Sequence, residues 1–458
     1  MLRCRTRWLV GSLAVALVAC GDTEPTPVDG APDAAAAGCP LDSEVASGGL
    51  RAAFGDDGQL DVNPSPRLDS VSFTLVLDGQ DVYMSGGDQT PGVGDYQTRI
   101  EKRDRCTGAA IEAFGDHGVI TSDVGPFTDA VGVVAVAAGS LYLVGADELL
   151  GAKDAAWRIE KRAASDGSLD ASFGAGGVVT QNPSQFTDVA LMGAIDAEHI
   201  YLVGFDSAPG EGDQQWRIEK RRLADGGLVS GFGTEGVITE NPGPTHDRPE
   251  AIAIDSEFLY IVGNDSAPGD DQWRIEKRNL ADGKLVSTFG TNGVISFNPT
   301  PAPERVTTIA LQPPFFYVAG VDGSAGAGDL QARIEKRTIE DGALVAAFGV
   351  EGAVTINPSG GFDRFLSMAV DESALYLFGT DNMPGGMTDY QWRTEKRSLT
   401  DGALVKAFGD GGVVAENFSA GDEWGWRIAL DSESLYLLGD YLATAPEDYG
   451  WRLQRRSK

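Results

Sequence analysis

Histidine is nearly missing from this chain. His117, His199 and His246 are the only three among 458 residues, and none stands at a spacing that pairs it with a second His or a Cys. No zinc-ligand spacing, G-x-S-x-G elbow or Cys–His pair occurs, so the common hydrolytic and metal-dependent sites leave no footprint here. Basic charge is scarce as well, with 36 Lys and Arg against 68 Asp and Glu and a formal net charge of -32. That balance excludes the positive surface that nucleic acid or anionic lipid headgroups require. Long apolar runs are also lacking. The run from Trp8 to Ala19 is too short to span a bilayer as a stable anchor.

That short run does carry information. Arg3, Arg5 and Arg7 precede it, and it ends at "LVAC", Leu17 to Cys20, followed by Gly21 and Asp22. The pattern resembles a bacterial lipoprotein signal, in which the Cys is lipidated and becomes the new N-terminus; the alternative is an ordinary secretory signal that carries a Cys. The expectation is a signal peptide over residues 1–19, a membrane contact through a lipid on Cys20, and a place in the cell envelope. Processing would leave 33 basic residues against 68 acidic ones, a charge of -35. Residues 20–38 are small, Pro-containing and poor in large apolar side chains, which reads as a flexible tether. Of four cysteines, Cys4 leaves with the signal and Cys20 takes the lipid. Cys39 and Cys106 remain, and an oxidising space favours a disulfide between them.

What the chain has in plenty is repetition. The dipeptide Phe-Gly recurs at Phe54, Phe114, Phe173, Phe232, Phe289, Phe348 and Phe408, at spacings of 57 to 60 residues. A period near 60 over the mature chain signals a repeat architecture. Within a unit, "AIAIDSEFLYIVG" (Ala251 to Gly263) reads as a hairpin. "QWRIEKRNL" and "GKLVSTFG" read as a second hairpin around "ADG", and "GVISFNP" leads onward. Four short strands per unit predict an all-β, seven-bladed β-propeller over residues 39–458. The chain ends after a third strand, at "WRLQRRSK", while "SGGLRAAFG" (Ser47 to Gly55) supplies a spare fourth strand at the other end. The N-terminal strand is therefore expected to complete the last blade, with an open solenoid as the alternative. "SDGSLDASFGAGGVVT", Ser165 to Thr180, resembles the delta-60 tandem repeats of β-propeller proteins, and the likeness extends over about residues 46 to 458. The resemblance implies a propeller; it implies no reaction, because that family has no shared catalytic residues to carry over.

The third strands repeat a basic word in an acidic chain: "WRIEKR" at Trp157, Trp216 and Trp273, with variants at Thr98, Ala332, Trp392 and Trp451. In a strand, Arg217, Glu219 and Arg221 share one face, while Trp216, Ile218 and Lys220 share the other. Alternating charges on one face can pair among themselves, so the word reads as architecture rather than as a basic binding stripe. An Asp three places before the Trp position recurs from Asp95 to Asp448 and is expected to join that ladder. The Asp after each "LYLVG" Gly, such as Asp206 and Asp265, reads as a turn former. The carboxylates are oxygen ligands of the kind calcium takes, but no D-x-D-x-D-G spacing occurs; the expectation is no cofactor, with calcium as the alternative.

A site for one ligand should break a seven-fold pattern. Four departures stand out: "DEWGWRIAL" with Trp424 and Trp426, "QPPFFY" with Pro313 to Phe316, Met383 and Met387 in a loop, and Cys106. The Trp pair is the candidate ligand contact, placed at or just below a face rich in Asp and Glu, where a neutral or cationic ligand is expected. The function read from these features is a monomeric, lipid-anchored binding or scaffolding module for a protein or carbohydrate ligand. The alternative is a polysaccharide-acting hydrolase or lyase with its site in the central channel.

Overall fold

The computed structural model describes residue 39 and residues 45–66, 70–125, 128–148, 154–326, 328–382, 389–419, 421–443 and 448–458. The expected signal peptide, Cys20 and the tether lie outside the described residues, as do Met383 and Met387. Seven four-stranded antiparallel sheets follow one another as the blades of a propeller, and the described residues contain no helix. Blades 1 to 6 are continuous in sequence: Ser70–Ser122, Asp129–Gln181, Val189–Glu240, Arg248–Phe297, Arg305–Ile356 and Arg364–Glu416. Blade 7 takes three strands from Trp424–Leu430, Ser434–Leu442 and Tyr449–Ser457 and its fourth, Gln59–Val62, from the other end of the chain. The N-terminal strand thus closes the ring.

The strand that closes it differs from the one expected. The Phe-Gly segment is a turn touching the third strand only through bridges such as Arg221↔Leu228, and the fourth strand comes just after it, at Val237–Glu240 in blade 3. Glycine is the reason. Gly233 has φ of 55°, and a Cβ there would lie 2.3 Å from the Val237 carbonyl oxygen. Its N–H donates to the Asp282 carbonyl of the next blade at 3.0 Å, and Gly409 does the same to Ser47 across the closing seam. The Phe of the pair is fully buried and meets the second-strand Tyr edge-on, as in Tyr201–Phe232 at 6.2 Å. The repeat's anchor dipeptide is therefore a plug and a clasp, two jobs that no pleated strand residue could perform at once.

Apolar cores sit in the seams between neighbouring blades. The basic word shows how a seam is made. The Trp216 ring is fully buried, and its Nε1 donates to the Asn264 carbonyl of blade 4 at 2.9 Å, while Lys220 Nζ donates to the Leu280 carbonyl there. On the opposite face Arg217 and Arg221 grip Glu219 at 2.7 and 2.6 Å, and Arg217 stacks 5.6 Å from the Trp157 ring of blade 2. Arg221 also donates to the Gly226 carbonyl of its own turn. One strand face is thus complementary to the other face of its neighbour, which is why the same six residues can be reused around a ring.

Two details of the ladder depart from expectation. Its second acid is Asp206, 3.3 Å from Arg217, whose other oxygen accepts from the Ala208 N–H and so forms the turn as well. The Asp three places before the Trp serves the crossover instead: Asp154, Asp270, Asp329 and Asp389 accept from Asn182, Asn298, Asn357 and Asn417. A sequence period of two places it on the ladder face, but it lies at or just before the strand's start, where the crossover Asn takes it.

The Cys39–Cys106 disulfide is formed. Cys106 stands in the turn after the third strand of blade 1, so the bridge fastens the chain's entry beside the seam that the N-terminal strand closes.

Candidate functional site

The first strand of each blade lines the channel, and each carries a β-bulge, at the same place in six blades and two residues further along in blade 2. The bulged residues are Phe73, Val134, Leu191, Glu250, Thr307, Leu366 and Trp426 in blades 1 to 7. A bulge re-aims its residue relative to the sheet. Phe73 of blade 1 packs in one cluster with Leu191 of blade 3, two blades away, which puts these residues at the axis.

The lining is divided. Blades 1 and 3 contribute Val71, Phe73, Val189 and Leu191 to an apolar wall. Two positions before the bulge, blades 4 to 7 present Arg248, Arg305, Arg364 and Trp424, each the first residue of its strand. These are the residues that the fold leaves out of its repeat.

The predicted pair is here. Trp424 is partly buried and Trp426 is 5% exposed; the rings stack at 5.9 Å. Trp426 Nε1 donates to Asp440 at 2.6 Å. Trp424 also meets the Tyr390 ring at 4.8 Å and the Arg364 guanidinium at 4.5 Å. The pair therefore lies at the channel mouth, with Trp426 built into the wall; its removal would carry a folding cost as well as a binding one. The surroundings mix both signs of charge. Beside the pair the Arg364 guanidinium stands with two buried acids, Asp440 and Glu423.

Two carboxylates share the mouth. Asp271 is held by Arg305 at 2.6 Å. Glu250 is 8% exposed, and burial pushes its carboxyl up while Arg248, Arg305 and Arg427 pull it down. Arg364 is pushed down to about 10 by burial. Just before each of these strands sits a second set of buried acids that the sequence reading did not single out: Asp188, Asp247, Glu304, Asp363 and Glu423. They organise the crossover turns, as where Asp247 accepts from the Gly243 and Ser266 N–H groups. Burial raises all five, and Glu423, fully buried, is pushed up to about 7.

The remaining candidates are absorbed by the fold. Phe316 packs with Tyr260 and Phe289 in the seam of blades 4 and 5, and Lys336 covers Phe315 at 4.1 Å. His117 pairs with Glu112 on the surface and His199 lies against Asp196, in separate blades. Among the described residues no group of three or more His, Cys, Asp or Glu is arranged to hold a metal ion. Two crevices of about 460 and 630 Å³ open at the seam of blades 3 and 4, lined by repeat residues and away from the mouth. The signal missed in sequence was small: Asp or Glu followed by Arg at the start of three successive first strands, in units otherwise treated as equivalent.

No family model and no curated protein matches the chain. Among solved structures it is similar to Drosophila Semaphorin 2a (TM-score 0.47, 9% identity, 90% of this chain and 76% of that one). It is similar too to Sqt1 from Chaetomium thermophilum (0.42, 12%, 89% and 100%) and to the polysaccharide lyase Uly1 (0.41, 9%, 92% and 94%).

Proposed function

We propose that the protein is a lipid-anchored binding propeller of the cell envelope, which receives its ligand at the channel mouth formed by blades 4 to 7. The lipoprotein-like N-terminus supports the anchor and the location. The observation that supports the site is the broken repeat: third strands are alike around the ring, whereas first strands gather Arg248, Arg305, Arg364, Trp424 and Trp426 on one side of the axis. A binding role fits these residues better than hydrolysis. Among the described residues Glu250 is surrounded by the charges of Arg248, Arg305 and Arg427, and Asp271 is bound by Arg305, which suits holding a ligand. The test is capture of an envelope ligand by the purified protein and by Trp424→Ala, with urea midpoints measured in parallel. Capture that falls in the variant at unchanged stability supports the reading, and equal capture overturns it. Cys20→Ala should abolish membrane retention; a variant that stays membrane-bound at mature mass would overturn the anchor.

A further inference from the structure

We infer that the channel mouth binds an oxyanion group of its ligand (a carboxylate, sulfate or phosphate) on Arg427 and Arg248. This rests on the mouth being the binding site and adds the chemistry of what enters it. Arg427 is 1% exposed, and its Nη1 donates to the Trp426 carbonyl at 2.7 Å. Its Nε and Nη2 have no hydrogen-bond partner. Those two N–H groups form one edge of the guanidinium, the edge that grips an oxyanion with two parallel bonds. Arg248 likewise leaves Nε without a partner, its nearest acid being Glu250 at 4.0 Å, beyond hydrogen-bond length.

The chain itself shows a satisfied arginine. In the ladder, Arg217 and Arg221 both turn their Nε onto Glu219, at 2.8 and 2.6 Å. Arg427 has no such acid, although Glu250 acts on it from blade 4, three blades away around the ring. Arg427 directly follows the bulged Trp426 in its channel-lining first strand, as Glu250 is the bulged residue of blade 4. Burial pushes Arg427 down to about 9, with Glu250 alone opposing. A desolvated cation with two idle donors is costly to the fold. A ligand anion would remove that cost on entry, so the strain favours anions over neutral or cationic ligands. Arg305 contributes little, being neutralised by Asp271, and Arg364 is occupied by its stack on Trp424.

The experiment is isothermal titration of the purified protein with sodium sulfate, inorganic phosphate and succinate at low chloride. Calorimetry is chosen because sulfate and phosphate raise thermal stability by exclusion alone. The expected result is saturable binding of at least one anion at one per chain. It should weaken at least ten-fold in Arg427→Gln and several-fold in Arg248→Gln, and Arg427→Lys should recover it only in part. Binding of sulfate and phosphate without succinate assigns a tetrahedral group, and succinate alone assigns a carboxylate. No saturable heat with any of the three overturns the inference, as does binding unchanged in both Gln variants. Should Arg427→Gln fail to fold, Arg248→Gln at the more open position decides. Trp424-dependent capture with no anion heat would overturn the oxyanion alone. Anion heat without Trp424-dependent capture would uphold it while removing the proposed role of the mouth.

Discussion

The charge ladder of the third strands and the channel-lining first strand of blade 7 treat arginine in opposite ways. In the third strand, Arg217 and Arg221 are buried yet fully committed, to Glu219, Asp206 and the Gly226 carbonyl. In the first strand, Arg427 is as deeply buried and leaves two donors idle. Burial therefore does not separate the ladder arginines from Arg427; partnership does, although Arg455, at the Lys position of the third strand of blade 7, also leaves Nε and Nη2 without a partner. In blades 1 to 6 the ladder arginines recur with their own Glu, so the ladder is paired within each of these blades. Of the channel arginines, Arg305 is paired with Asp271, whereas Arg427 and Arg248 keep donors without a partner, left for something else to complete.

Blade 7 is where the two regimes can be pulled apart. Gln454 replaces the ladder's Glu, and the flanking arginines take acids from elsewhere: Arg452 binds Asp61 of the N-terminal strand at 2.6 Å and Arg456 binds Glu416 of blade 6. The largest effect should come from copying half of that exchange. Glu219→Ala strands two buried guanidinium groups and should lower unfolding free energy by about 3–5 kcal/mol in urea titrations. Glu219→Gln should cost less. Adding Thr239→Asp, at the position facing Arg217 as Asp61 faces Arg452, should restore part of the loss. Strict additivity of the two changes would show that the ladder does not work through paired charge.

The closing seam comes next. Cys106→Ser should cost about 2–4 kcal/mol under non-reducing conditions, because the bridge restrains the unfolded chain. Two free thiols in unreduced, denatured protein would rule the bridge out.

Glu423 sharpens the comparison by pH. Its folded value, about 7, lies above the ordinary 4.5 for a glutamate. Between these the unfolded chain ionises first, so stability is complete below about pH 4.5 and falls as pH rises towards 7, by up to about 3 kcal/mol. Glu423→Gln should lack this fall, measured as the difference between the two proteins' urea midpoints from pH 4 to 8. Parallel curves would mean that the carboxyl titrates normally.

Much of the ring was legible in the sequence because repetition amplifies weak local signals. A four-residue strand such as Val237–Glu240 is ambiguous alone, and it was indeed passed over in favour of the more apolar segment before it. Seven copies of Phe-Gly still settled the period, and the unit divided between the termini settled closure. The Trp pair was visible because it interrupts a pattern. Arg248, Arg305 and Arg364 were not, since each looks ordinary in its own unit. They become a site only when four blades bring their first residues to one axis.

The measurement closest to the central claim is the stability of Arg427→Gln beside that of Glu219→Ala, in the same buffer without multivalent anions. If channel arginines are held for a ligand, removing Arg427 relieves an unpaired buried charge, so the variant should be as stable as the parent or more so, while Glu219→Ala loses several kcal/mol. An Arg427→Gln protein destabilised as severely as Glu219→Ala would contradict the account, making the channel cluster one more part of the scaffold.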